Sequence, residues 1–181
     1  MRKIIIFFLA LSIISCFNSG KKFEVDSYAD SIMAYQNKAL VQIDTFFQSL
    51  FYPDYNTVDC YQKAVNQLKI SHLHLTELGD FKNDEQLYDE GLNYLHSIDN
   101  LLSSQGKKLL ELHEFRDSYG NFSWRREMDS LWRASYLIIN AGQQDFDSVL
   151  VLFLDNHGFN MIIDTALTSK SNFENLPQYF Q

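Results

Sequence analysis

The chain has 181 residues, 46% hydrophobic and 21% charged, with a net charge of -8 and only 7 Gly, 2 Pro and 2 Cys. Those figures suit one domain with a sizeable core and exclude a disordered chain, a collagen-like repeat and a disulfide scaffold. An acidic chain also lacks the basic surface that neutralises phosphates, so no nucleic-acid partner is expected.

Arg2 and Lys3 are followed by an unbroken apolar stretch from Ile4 to Leu11 and then by Ser12, Ile13, Ile14, Ser15 and Cys16. The stretch is shorter than the roughly 20 residues that span a bilayer and has the charged start of a secretory signal. Ile13-Ile14-Ser15-Cys16 resembles the lipobox of bacterial lipoproteins. That resemblance implies acylation of Cys16 and cleavage before it, with membrane lipid as the partner the acylated residue engages. Residues 1–15 are then a signal peptide and residues 16–22 a short lipidated tether, with Lys21 and Lys22 at headgroup height. An ordinary signal peptide with an incidental Cys, or an uncleaved anchor helix, is the alternative. Removing residues 1–15 leaves 166 residues, and with Arg2 and Lys3 gone 13 basic side chains face 23 acidic ones, a balance of -10. Phe17 follows the Cys in place of the Asp associated in some bacteria with inner-membrane retention, which favours the outer membrane or the cell surface. Cys60 is left alone, so no internal disulfide is expected, and with no His near it in sequence an inert packing role suits it better than a nucleophilic one.

Downstream, apolar residues recur at three and four, the helical period, over residues 23–158. The first segment, residues 25–51, places Tyr28, Ile32, Tyr35, Ala39, Ile43, Phe46 and Leu50 on one face and ends at Tyr52-Pro53-Asp54-Tyr55-Asn56. The second, residues 57–78, does so with Val58, Tyr61, Val65, Leu68, His72 and Leu75 and ends at Gly79-Asp80. The third, residues 84–115, carries Leu87, Gly91, Tyr94, Ile98, Leu101, Gln105, Leu109 and Leu112 in register. Residues 116–122 form a loop and Ser123 is the expected N-cap of the fourth. That segment presents Trp124, Met128, Leu131, Ser135, Ile138, Gly142, Phe146, Val149 and Phe153 and stops at Asn156-His157-Gly158. Four such helices with short connections predict an all-α, up-down-up-down bundle of long antiparallel helices. Residues 159–181 turn polar toward Pro177 and are expected to be frayed or loosely docked.

A four-helix bundle invites a di-iron site, which needs Glu three residues before His on two helices. The residues in that position are Lys69, Ser71, Asn93, Leu110 and Leu154, so the pattern fails at every His. His113-Glu114-Phe115-Arg116-Asp117 is short of the zinc-protease pattern, with Asp117 where the second His belongs. His72 and His74 are two residues apart and point away from each other on a helix, so they build no shared site. The acidic cluster of Asp80, Asp84, Glu85, Asp89 and Glu90 lacks calcium-loop spacing and better matches a helix N-terminus. Gly-rich phosphate loops and nucleophile elbows are absent. No cofactor, catalytic residue or metal ligand is therefore assigned.

All four Arg of the mature chain and both Trp lie between residues 116 and 133. Arg116, Trp124, Arg125, Arg126, Trp132 and Arg133 are residue types that dominate binding hot spots, which makes them the candidate patch for an unknown protein or small-molecule partner. The same residues also suit core positions for Trp124 and a solvated row of ion pairs among Arg126, Asp129 and Arg133.

Three stretches resemble an uncharacterised family of bacterial surface lipoproteins built as helical bundles: Tyr28-Ala29-Asp30-Ser31-Ile32 with Gln36, residues 75–84 leading to Leu87, and Phe153-Leu154-Asp155-Asn156-His157-Gly158-Phe159. The resemblance implies location and fold and carries no activity. The expectation is a lipid-anchored envelope protein acting as a non-enzymatic binding module. One alternative is a structural envelope component acting through bundle self-association, and another a bundle with a cryptic metal-binding or enzymatic interior.

Overall fold

The computed structural model describes the backbone of residues 2–52, 54–82, 84–115 and 121–159, with side chains from residue 21 onward except in 121–123. The chain forms α1 (Arg2–Ser49), α2 (Thr57–Leu78), α3 (Gln86–Leu101), a π-helical turn (Leu102–Gly106), α4 (Lys107–Glu114) and α5 (Asn121–Asn156). Since α3, the π turn and α4 run on without a break, four rods alternate in direction, the all-α bundle that the periodicity predicts. Packing is closest between α1 and α2 and between α3 and α5, so the bundle is two helical hairpins joined face to face.

The core is a continuous column of apolar side chains from Val25, Tyr28 and Ile32 at one end to Phe46 and Leu50 at the other, met by Leu68 and Leu75, by Leu87, Tyr94 and Ile98, and by Phe146 and Phe153. Each such side chain contributes about 1.5–3 kcal/mol on burial. The cap residues follow the sequence at two places. Asn56 accepts the Asp59 amide at 3.1 Å as N-cap of α2, and Gly158, at φ 83°, lets the Phe159 amide reach back to the Leu154 carbonyl at 2.9 Å.

Four expectations are corrected. The first helix starts well before residue 25, so that residues 16–22, the expected tether, are helical within α1. Nothing from Ile4 to Val25 breaks a helix except a single Gly20, which costs about 1 kcal/mol at most. On α2 the inner face is Thr57, Cys60, Tyr61, Ala64, Leu68, Ser71 and Leu75, so Val58 is 45% exposed and His72 is only half-buried. Small residues draw that face inward: Ala64 and Ser71 are fully buried, as is Ala39 on α1, and the Ser71 hydroxyl donates to the Tyr35 carbonyl at 2.7 Å. Along the third rod the π turn inserts a residue, so that Leu101 and Leu102 both point inward and Gly106 replaces Gln105 as the buried position. The Leu102 carbonyl accepts the Tyr61 hydroxyl at 3.1 Å, and Gln105 instead accepts the Ser135 hydroxyl at 2.7 Å. Finally α5 begins at Asn121, so Ser123 lies within its first turn and is not its N-cap. Of the tail expected at 159–181, residues 160–181 lie outside the described residues, as does the loop at 116–120.

The two rods of the second hairpin approach closely at Gly142. A Cβ there would stand 2.6 Å from Cδ2 of Tyr94, whose ring is fully buried. The Tyr94 hydroxyl has no hydrogen-bond partner among the described residues, and burial holds its phenol above the ordinary tyrosine range. Burial likewise raises the Tyr28 phenol, with the Asp80 carboxylate adding to the effect, but its hydroxyl donates to the Gly79 carbonyl at 2.7 Å.

Gly142→Ala should therefore lower stability by about 1–3 kcal/mol in urea unfolding, because the ring has nowhere to go. Tyr94→Phe should raise it by up to about 1 kcal/mol and Tyr28→Phe lower it by a similar amount, since only the second hydroxyl loses a bond. Both phenols prefer the neutral form in the fold, so their contribution is intact below the unfolded tyrosine pKa of about 10 and lost as pH rises beyond it. Wild type should weaken above that pH, and Tyr94→Phe should weaken less.

Candidate functional site

The bundle has two unlike poles. At the far pole the α1–α2 turn meets the end of α4 and the start of α5. His113 ties them together: Nδ1 donates to the Leu50 carbonyl at 3.1 Å and Nε2 lies 3.1 Å from the Thr57 hydroxyl. That hydroxyl is also 3.0 Å from the Ser49 carbonyl, so its single proton is shared between two acceptors whenever the imidazole is neutral. Trp124 completes the closure by donating its indole N–H to the Leu112 carbonyl.

The candidate Arg and Trp patch lies on this pole and the first turns of α5, and the structure divides it. Trp124 packs half-buried against the core, and Trp132 stacks on Tyr136 with centroids 5.7 Å apart and planes 12° apart. Arg133 pairs with Asp129 at 2.8 Å along one helix face, an exposed ion pair of small worth. Arg125 and Arg126 are exposed, and Arg116 lies outside the described residues. What the sequence missed is the apolar company at the same end: Tyr52, Tyr55, Val58 and Phe115 are all exposed, Phe115 by 54%. Tyr52 and Tyr55 precede α2, Val58 lies in its first turn and Phe115 follows α4, so residues far apart in the chain share one end of the bundle through the up-and-down topology.

The opposite pole is where α1 enters the bundle. Here Phe81, in the α2–α3 turn, is buried against Tyr28 at 5.0 Å, Phe153 at 5.7 Å and His157 at 5.4 Å between ring centroids. The start of the core face of α1, the α2–α3 turn and the end of α5 thus converge on one aromatic cluster. Lys82, at φ 50°, closes the turn by pairing with Glu24 of α1. Lys21, Lys22 and Phe23 lie just outside, with Phe23 74% exposed. In the acidic cluster, Asp84 serves the helix start as expected, accepting the Gln86 amide at 3.4 Å. Cys60 is buried and unbridged.

Between the poles, a groove of about 360 Å³ opens on the seam between α2 and α3. Leu68, Leu73 and Leu95 supply its apolar wall and Lys69, Thr76 and Asp99 its polar groups. Across it the Nε2 atoms of His72 and His96 stand 3.2 Å apart. The sequence pairs His72 with nothing, because its neighbour His74 does point elsewhere, stacking on Tyr35 with centroids 5.0 Å apart. The signal that would have found His96 is its place at a comparable distance beyond the turn that joins two antiparallel helices. Among the described residues no three His, Cys, Asp or Glu converge as a metal cluster, and no helix is long and apolar enough to cross a membrane.

Neither a known protein family, a curated protein nor a solved structure matches this chain.

Arg125→Glu with Arg126→Glu should leave thermal stability within about 0.5 kcal/mol of wild type, as exposed positions do. Trp124→Ala should cost about 2 kcal/mol or more through lost packing and the freed Leu112 carbonyl. Equal losses in both variants, measured by calorimetry, would remove the division of the patch into surface and structure.

Proposed function

We propose that this protein is a lipid-anchored component of a bacterial cell envelope, at the outer membrane or cell surface, that binds a partner through the far pole of its bundle without catalysing a reaction. The observation that carries the reading is the unbroken α1. The candidate lipidation site Cys16 stands nine residues before Val25, the first buried side chain described, which is about 14 Å along a helix. A domain joined to its anchor by a rod has a defined orientation, unlike one on a flexible linker. The entry pole, with Lys21, Lys22 and the exposed Phe23, faces the lipid, and these are residue types at home at a headgroup boundary. The far pole then lies one bundle length away, about 38 Å for the 25 residues from Val25 to Leu50.

That pole combines Arg125 and Arg126 with exposed Tyr52, Tyr55 and Phe115, the arginine and aromatic mixture from which binding hot spots are built. The chain as a whole is acidic, with a net charge of -8, and these two exposed guanidinium groups are adjacent in it. We read this mixture as a surface for recognition.

Cys16→Ala should shift the exported protein from the membrane to the soluble fraction when cells are fractionated. A variant that stays membrane-bound would overturn the anchoring. Crosslinking in intact cells should capture a partner on wild type and lose it on Tyr55→Ala with Arg126→Glu; an unchanged crosslink would move the binding surface elsewhere.

A further inference from the structure

Of the five His, three have their ring nitrogens or faces engaged within the fold. His74 stacks on Tyr35 with Nδ1 3.3 Å from Glu77, His113 is bonded through both nitrogens, and His157 donates Nδ1 to the Phe153 carbonyl at 2.8 Å. His72 and His96 differ: each turns Nε2 toward the other across an open groove, at 3.2 Å, with ring planes 64° apart. The geometry points to a transition-metal site at this pair, taking a divalent ion of the zinc, copper or nickel class between α2 and α3.

The spacing is the first argument. Two imidazole nitrogens bound to one such ion at about 2.0–2.1 Å, at angles between square and tetrahedral, lie about 2.9–3.4 Å apart, and the 3.2 Å between this pair falls in that range. The second argument is protonation. Two neutral imidazoles can share this distance only if one presents N–H and the other a lone pair, whereas an ion accepts both lone pairs at once. The third is the charge of the surroundings. Asp99, one turn after His96 on α3, lines the same groove without converging on the pair as a third ligand, and its carboxylate adds negative charge that favours a cation. Lys69 is the one cation in the wall and opposes the site, with Asp99 offsetting it. The groove is open to solvent, which leaves room for water to complete the coordination.

The consequence is mechanical. The seam between α2 and α3 joins the two hairpins and is packed less closely than either hairpin is within itself. An ion there staples one hairpin to the other and binds only the folded chain. At a free concentration about a hundredfold above the dissociation constant, it should raise the melting temperature by about 5–10 °C.

The test uses the full-length protein without a polyhistidine tag, titrated separately with zinc, copper(II) and nickel(II). Saturable uptake of one ion per chain is expected, with a rise in melting temperature that EDTA reverses. Copper electron paramagnetic resonance should show hyperfine coupling to two imidazole nitrogens. His72→Gln and His96→Gln should each abolish the uptake while keeping the helical circular dichroism of wild type, Asp99→Asn should weaken it, and His74→Gln should leave it unchanged. No saturable uptake by wild type, or uptake that survives His72→Gln with His96→Gln, would overturn the site. Because membrane fractionation and partner crosslinking are not part of this readout, the site stands or falls apart from the anchoring.

Discussion

Phe81 sits in a turn, where an aromatic ring is ordinarily left in water, yet it is buried against Tyr28 of α1 and against Phe153 and His157 at the end of α5. That contact couples the α2–α3 connection to both outer rods. It sets where α2 ends and α3 begins relative to the rest of the bundle, and a helical hairpin pinned at its turn has its facing residues settled along its whole length. The Tyr28 hydroxyl on the Gly79 carbonyl and the pairing of Lys82 with Glu24 hold the same turn from the other side. His72 faces His96, and Leu75 lies beside Gly91 and Ile32, because the turn is held there and not a residue earlier or later.

The other end is closed by polar chemistry. His113 bridges the α1–α2 turn through Leu50 and Thr57, and Trp124 reaches the Leu112 carbonyl from the far side of the α4–α5 connection. At this pole, closed by hydrogen bonds to backbone carbonyls, Tyr52, Tyr55 and Phe115 are exposed. The two poles thus differ in kind: the Phe81 cluster is buried at the end where α1 enters the bundle, and exposed aromatic residues gather at the other end.

Buried polar groups mark where packing outranked polarity. Ser135, fully buried in the apolar register of α5, turns its hydroxyl to the Leu131 carbonyl at 2.8 Å and to the half-buried Gln105 at 2.7 Å, next to a π turn whose Leu102 carbonyl takes the Tyr61 hydroxyl. The Gln36 amide nitrogen and the Tyr94 hydroxyl, by contrast, find no partner among the described residues. Tyr94 keeps its place because Gly142 leaves room for the ring, so the apolar body of the side chain is accommodated at the expense of its tip.

Helix content, the number of rods, their antiparallel order and most of the core were legible in the chain itself, since a period of three to four in Ile32, Ile43, Phe46, Leu75, Leu87, Ile98 and Phe146 has one economical burial. The caps at Asn56 and Gly158 were legible for the same local reason, backbone conformation and side-chain reach within a few residues. The inward face of α2 was legible at Tyr61, Leu68 and Leu75 but not at the small residues Ala64 and Ser71 that allow close approach to α1, since hydrophobicity ranks such residues low. Nor was the extra residue at the π turn, which trades local helical regularity for two buried leucines. Periodicity reports what one helix wants to hide, but it carries no information on which residue of another helix will stand opposite. The meeting of His72 with His96, and of two distant connections at one pole, came from packing between rods, where distances along the chain cease to measure distances in space.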